Sequence, residues 1–402
     1  MKIYNTLSRT KEFFKPLNDQ SVTIYVCGIT PYDTTHLGHA FTYLSFDVLF
    51  RYLRHQGYEV NYTQNITDIN DRDNDLLKRA QEQKISWQEL ASFWTKRFLD
   101  DMQKLNWIKP TSYIKASENI PSMIALIQKI VDNGYGYVVN NNVYLDIKKD
   151  KSYGKLSKLN NEEMLTLARQ FEEDVTNPDK KNPLDITLWR SSSNNQPPHI
   201  PSFPSPFGQG RPGWHIECSA MAMSTLGDQI DIHGGGQDLI YPHHENEIAQ
   251  SELGTKQKPF VKYWLHTGTV SYEGKKMSKT LGNLVLVSDL LKKYSPNVIR
   301  WVLLSHHYRE SWEFHKEELD LAKVILKKIT PHLLSYDVKG GAAEKNPYKD
   351  LFLEAMDDDL NTPQVLAYIV QWAGEISEKT GNDAALQSDA ISDCLKTLGF
   401  II

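Results

Sequence analysis

Apolar and polar positions near the amino terminus fall into a strand, a helix and a second strand. Ser21 to Val26 (Ser-Val-Thr-Ile-Tyr-Val) alternates as a short strand and ends at Cys27-Gly28. From about His39 to Gln56 the apolar groups Ala40, Tyr43, Leu44, Val48 and Tyr52 recur at helical spacing. Gly57 suits the left-handed position that ends a helix, and Tyr58 to Gln64 alternates again as a strand. Strand, helix and strand in so short a stretch predict a βαβ unit with parallel strands. Cys27 and Thr67 then lie just past the carboxyl ends of two strands, the edge at which open α/β sheets bind ligands.

From about Asp75 to Thr187 the spacing becomes mainly helical. Ser86-Trp87-Gln88-Glu89 is a capping box, and Trp87, Leu90, Ala91, Trp94 and Phe98 make one helical stripe, read as a buried core face. A hairpin is predicted for Tyr137–Val139 against Val143–Asp146, turning at Asn140 to Asn142. Arg190 to Gly213 holds six of the 18 prolines and a Ser/Asn run, the mark of a loop returning to the first domain. Sheet-like segments resume at Gln229–His233 and Val261–Val270, and helices follow Ser288. Asn361-Thr362-Pro363 reads as a cap with proline at the first helical position, and Asp337–Pro347 as a loop joining two helices. The predicted divisions are 1–75 and 201–285 for the two halves of a parallel-sheet domain, 76–200 for a mainly helical insertion, and 286–402 for a helical end.

Composition narrows the class without naming the chemistry. Of 402 residues, 40% are hydrophobic and 24% charged, an ordinary balance for a globular protein with a sizeable core. No apolar run approaches the roughly 20 residues that span a bilayer, and the first residues have no signal-peptide pattern. A membrane role is therefore not expected. Three cysteines (Cys27, Cys218 and Cys394) give no disulfide framework, so a reducing cytoplasm and metal binding are the expectations. The net charge of −5 gives no global basic field. From Gly341 to Ile402 four lysines stand against eleven acids, a poor composition for a dedicated RNA-binding module.

Two motifs carry phosphate chemistry. His36-Leu37-Gly38-His39 stands between the first strand and its helix, where two imidazoles and a close-approach glycine can hold triphosphate oxygens. Alone, the tetrapeptide is weak evidence, equally the pattern of two surface histidines near a turn. Downstream lies Lys276-Met277-Ser278-Lys279, two lysines on a loop that can reach the β- and γ-phosphates and neutralise an in-line transition state. Both together, in this order, form the paired signature of class I aminoacyl-tRNA synthetases.

A separate set of residues suits a metal. Cys27 ends the first strand, Cys218 lies in Gly-Trp-His-Ile-Glu-Cys, and His243 and Glu247 share a helix face at i and i+4. Two thiols, an imidazole and a carboxylate suit zinc. Each taken singly is more often a small buried hydrophobe or a satisfied polar group. Their dispersion along the chain fits a site at the sheet's edge better than a tight structural ribbon.

With these residues in view the chain resembles the cysteinyl-tRNA synthetase family over nearly its whole length, from Tyr25-Val26-Cys27-Gly28 to Asp357-Asp358-Asp359-Leu360-Asn361-Thr362-Pro363. The resemblance implies a class I α/β fold: a Rossmann-like parallel sheet, an insertion, then a stem-contact region and C-terminal helical bundle. It also implies ATP-dependent activation of L-cysteine, with Mg2+ carried by the nucleotide and Zn2+ held by Cys27, Cys218, His243 and Glu247. His36, His39, Lys276 and Lys279 become the implied catalytic groups. Gly38 and Gly234–Gly236 become nucleotide contacts, with Thr67 and Trp214 beside the substrate side chain and Asp238 on its ammonium. The physics supports the metal: serine differs from cysteine by one atom, and thiolate binding to zinc separates them where shape cannot.

Within that family the predicted acceptor is a small amine. The segments at Cys27–Asp33, Asn177–Asp185, Asn283–Ser288 and Ser305–Arg309 resemble the mycothiol-pathway ligase, which passes cysteine to glucosaminyl-inositol. The chain is read as ending with the bundle, with no anticodon-binding domain expected. Glu245-Asn246-Glu247-Ile248-Ala249-Gln250 departs from that ligase, which generally lacks a carboxylate at the position of Glu247. A shortened synthetase that charges tRNA is the alternative.

Overall fold

The computed structural model describes residues 1–402 except 74, 194, 195, 198, 278–281, 334–345, 380 and 381. Strands β1 (Lys2–Asn5) and β2 (Thr10–Phe13) pair antiparallel at the amino terminus. Next come β3 (Ser21–Ile29), α1 (Leu37–His55) and β4 (Glu59–Ile66), the expected βαβ unit, with Ser21 opposite Glu59 and Val26 opposite Gln64. Helices α2 (Leu76–Gln83) and α3 (Trp87–Lys104) follow, and then β5 (Ser112–Lys115) returns to lie parallel to β4. Beyond α4 (Ile120–Asp132) lie the hairpin β6 (Gly136–Val139) and β7 (Asn142–Leu145), α5 (Asn161–Gln170), β8 (Ile186–Ser191) and β9 (Gly210–Pro212). The chain re-enters the main sheet through α6 (Trp214–Leu226), β10 (Ile230–Gly236), α7 (Glu245–Thr255) and β11 (Val261–Thr267). The sheet has the order β11-β10-β3-β4-β5 and is parallel throughout.

The region 76–200 is less helical than its periodicity predicts. β5 belongs to the core sheet, and β6, β7, β8 and β9 form a separate antiparallel sheet. These strands are short; β5 is only Ser-Tyr-Ile-Lys, too brief for alternation to stand out from neighbouring helical spacing. The capping box at Ser86 and Glu89 forms as expected, with the Ser86 hydroxyl accepting from the Glu89 N–H at 3.1 Å. Of its stripe, Leu90, Ala91 and Phe98 are buried while Trp87 and Trp94 are half-buried.

The carboxyl-terminal part adds β12 (Val270–Tyr272), β13 (Lys275–Lys276), α8 (Val287–Leu290) and α9 (Pro296–Leu304), then β14 (Trp312–Glu313) and α10 (Glu317–Ile329). Helices α11 (Pro347–Asp357), α12 (Thr362–Glu375) and α13 (Asn382–Thr397) pack on one another. Asn361 caps α12 by accepting from the Gln364 N–H, and Pro363 sits in the first turn, where its missing N–H costs nothing. Most of the predicted joining loop at 337–347 falls outside the described residues. Cys394 is buried in the bundle, as expected for a packing residue. Among the described residues no helix is long and apolar enough to cross a membrane.

One buried ion pair ties these parts together. The Arg300 guanidinium on α9 donates to Asp47 on α1 at 2.8 Å, to Leu105 O after α3, and to Leu398 O near the chain's end at 2.7 Å. Both charges are shielded from water, at 1% and 0% exposure. Removing one partner strands the other. Asp47→Ala is expected to lower unfolding free energy by about 3–5 kcal/mol in a urea titration, and a loss below about 1 kcal/mol would refute the network's role.

Candidate active site and metal centre

Four chain segments converge at the carboxyl edge of the sheet. Cys27 sits in β3 where its register against β4 shifts between Val26 and Ile29. Gly28 makes this shift possible: a Cβ there would lie 1.6 Å from the Asn65 carbonyl oxygen. The Asn65 side-chain oxygen takes the Gly28 N–H at 2.7 Å instead. Cys218 lies in α6, and His243 stands just before α7, one turn from Glu247.

These four side chains meet. Cys27 Sγ is 3.8 Å from Cys218 Sγ and 3.6 Å from Glu247 Oε1, which lies 3.1 Å from His243 Nε2. Their donor atoms all lie within 4.8 Å of one another, and every residue is buried. Burial, Cys218 and Glu247 together push the Cys27 thiol well up, and burial then Cys218 does the same to the Glu247 carboxyl. Acidic groups crowded away from water favour a cation among them, because a bound cation inverts the local preference for the neutral forms. One atom supports that fit directly: His243 Nε2 is buried with no hydrogen-bond partner. Sulfur, sulfur, nitrogen and oxygen within this span suit a tetrahedral zinc site.

Support for the ligands extends outward. His243 Nδ1 is 2.8 Å from His215 Nδ1, and His215 Nε2 is 3.1 Å from Glu173 Oε1, which also pairs with Arg72 at 3.0 Å. This carboxylate–imidazole–imidazole row holds the His243 ring with Nε2 turned toward the thiols. His215 draws the Glu173 carboxyl down to about 2 against the opposing effect of burial. Trp214 stacks on His243 with ring centroids 4.4 Å apart, and the Arg72 guanidinium covers its indole at 3.9 Å. A polar cleft of about 490 Å³, lined by Asp71, Arg72, Tyr144, Glu173, Asn177 and Arg190, adjoins this edge. The sequence reading missed Glu173 and Arg72, which lie far from every motif. It also missed the imidazoles of His233, His244 and His266. The edge rule that selected Cys27 also nominates His233 in β10 and His266 in β11.

The phosphate motifs lie together. His36 caps α1, its Nδ1 accepting from the Gly38 and His39 N–H groups at 3.1 and 3.4 Å, and the two imidazoles stack at 3.7 Å. Both Nδ1 atoms serve the helix start, because the His36 N–H reaches His39 Nδ1 at 3.4 Å, which leaves the Nε2 atoms for a ligand. Burial first, and Lys276 second, lower His36 to about 4; burial and His36 hold His39 well below the usual value. Both rings are therefore neutral hydrogen-bond donors near pH 7. The segment after the lysine motif pairs with this turn, Leu37 N–H to Val285 O at 2.8 Å and Val287 N–H to Thr35 O at 3.1 Å.

Lys276 Nζ pairs with Asp238 Oδ2 at 2.9 Å, both groups about half exposed. Lys279 falls outside the described residues. Thr67 is buried beyond β4 and accepts from Asn65 Nδ2 at 3.0 Å. The three glycines at the end of β10 do separate things. A Cβ at Gly234 would strike the Phe46 ring at 2.1 Å, one at Gly235 would press on Leu239 and His244, and one at Gly236 would meet Asp238 Oδ1 at 2.5 Å. Close packing accounts for Gly234 and Gly235 without a nucleotide.

Comparison with known proteins agrees with this fold. Residues 13–324 match the family described as tRNA synthetases class I (C) catalytic domain, and 351–401 match the DALR domain. A cysteine–tRNA ligase from Methanococcus maripaludis is 43% identical over 94% of this chain and 80% of its own length. One from Coxiella burnetii is 42% identical over 100% of this chain and 85% of its own. Among solved structures, Mycobacterium tuberculosis methionyl-tRNA synthetase with methionyl-adenylate shares the fold at a TM-score of 0.65 and 14% identity, covering 94% of this chain and 89% of that one. The same α/β architecture appears in an Agrobacterium radiobacter leucyl-tRNA synthetase complex, at a TM-score of 0.64 and 10% identity over 96% and 84% of the two chains. These relatives do not show the closeness to a mycothiol-pathway ligase that the sequence suggested.

Proposed function

The chain belongs to the cysteinyl-tRNA synthetase family, ATP-dependent ligases that activate L-cysteine, and we propose that it passes the activated cysteine to tRNA. The observation that carries this reading is the run of cysteine–tRNA ligases at 40% identity or more, matching over 80% of their own lengths or more. A DALR domain at 351–401 supports it. The small amine predicted from the sequence gains no such support.

The acidity of the carboxyl-terminal segment had argued against RNA. In the fold part of that excess is met by cations from elsewhere in the chain: Lys11 lies 2.7 Å from Asp358, and Arg309 lies 2.5 Å from Asp359. A segment's net charge is then a poor guide to the field that it presents to a partner.

In this reading Cys27, Cys218, His243 and Glu247 would hold Zn2+, which when bound would attract the substrate's thiolate far more strongly than serine's hydroxyl. Trp214 and Thr67 wall the side chain. Asp238 takes the ammonium and in doing so frees Lys276 for the nucleotide. His36 and His39, neutral and stacked at the start of α1, donate from Nε2 to ATP oxygens as the cysteine carboxylate attacks the α-phosphate and pyrophosphate leaves. Lys276 and Lys279 neutralise the departing pyrophosphate, whose Mg2+ arrives with the nucleotide. A reducing cytoplasm suits a site that needs both thiols free.

An acceptor screen tests the proposal. With ATP and labelled cysteine, tRNA is expected to carry label to its 3′ end, while glucosaminyl-inositol and related amines take none. Amine labelling with uncharged tRNA would reverse the assignment.

A further inference from the structure

We infer that the buried face behind the predicted metal ligands forms a second, alternative position for a divalent transition-metal cation, held by Cys27, His233, His244 and Glu247. Their donor atoms lie within 4.8 Å of one another, and all four residues are buried. Cys27 Sγ is 3.4 Å from His233 Nε2 and 3.3 Å from His244 Nε2. His233 Nε2 in turn lies 3.5 Å from Glu247 Oε2, and His244 Nε2 lies 3.9 Å from Glu247 Oε1.

The carboxylate divides its two oxygens between the sets. Oε1 faces His243 at 3.1 Å, whereas Oε2 faces His233 and has no hydrogen-bond partner. A buried carboxylate oxygen without a donor is costly unless something positive meets it. The His244 ring is held from behind as metal-binding imidazoles are: its Nδ1 is 2.7 Å from His266 Nε2, and His266 Nδ1 is 2.8 Å from Thr6 Oγ1. His233 lies flat on Trp264, with centroids 4.5 Å apart at 24°, which fixes its plane. The competing account, in which these histidines only fill the core, leaves Glu247 Oε2 unexplained.

One thiolate, two imidazoles and a carboxylate select borderline cations such as Zn2+, Co2+ or Ni2+ over Mg2+ or Ca2+. Cys27 and Glu247 belong to both sets. An ion at the second position therefore withdraws two ligands from the first, so the positions are alternatives and excess metal competes with the arrangement that faces substrate.

The test removes the ligands private to the first position. Co2+ binding to Cys218→Ala/His243→Ala protein is followed by equilibrium dialysis and visible absorption, without cysteine, ATP or tRNA, so the outcome is independent of the acceptor proposed above. The variant is expected to keep one bound Co2+ with a single-thiolate spectrum, and to lose it when His244→Ala is added. A folded double variant that binds no Co2+ overturns the inference. Should the double variant not fold, Cys218→Ala alone serves. Its Co2+ spectrum is expected to change when His244→Ala is added, and an unchanged spectrum overturns the inference equally.

Discussion

Cys218→Ser protein is expected to lose cysteine-dependent ATP–pyrophosphate exchange by more than about 100-fold, beyond the 10–100-fold typical of groups that only support a ligand. Cys218 is buried 3.8 Å from Cys27 and contributes the second sulfur of the set that faces Trp214 and His243. Exchanging that sulfur for oxygen leaves the volume almost unchanged, so the fold should persist and the defect should be chemical. Preference for cysteine over serine should collapse with the rate, since only a thiol-seeking ion distinguishes the two strongly. An exchange rate near wild type with selectivity intact would remove the thiol pair from substrate recognition.

The second large effect concerns Lys276. Lys276→Ala is expected to lower the maximal exchange rate by about 100- to 1,000-fold, the cost of losing one preorganised group aimed at charge that develops in the transition state. KM for cysteine should change far less. In the fold Lys276, in the short exposed strand β13, is tethered to Asp238 at 2.9 Å, a pairing worth little in water and so easily exchanged for a phosphate. Its Nζ also helps to keep His36 neutral, at about 4, after the larger effect of burial. Exchange within about twofold of wild type in steady-state assays would show that the lysine motif acts elsewhere.

Much of the architecture was legible because it rests on strong periodicities. The strand ending at Cys27, the helix from His39 to Gln56 and the strand to Gln64 correspond to β3, α1 and β4, and together they place Cys27 at the sheet's carboxyl edge. His243 and Glu247 were legible as a pair because one helical turn separates them. The hairpin of β6 and β7 was legible too, but β5 was not, since a run of four residues cannot display a period against a helical background. His233 and His266 were reachable only through the sheet-edge rule: β10 and β11 are buried on both faces, so no alternation separates these two from their neighbours. Glu173 acts through His215, a contact between segments 42 residues apart that no local pattern encodes.

The guanidinium of Arg300 gives the molecule a strut whose two ends lie far apart in sequence. Through Asp47 it grips the helix that starts at His36, and through Leu398 O it grips the chain's last few residues. A load on the terminal segment is therefore borne by the same helix that His36 caps.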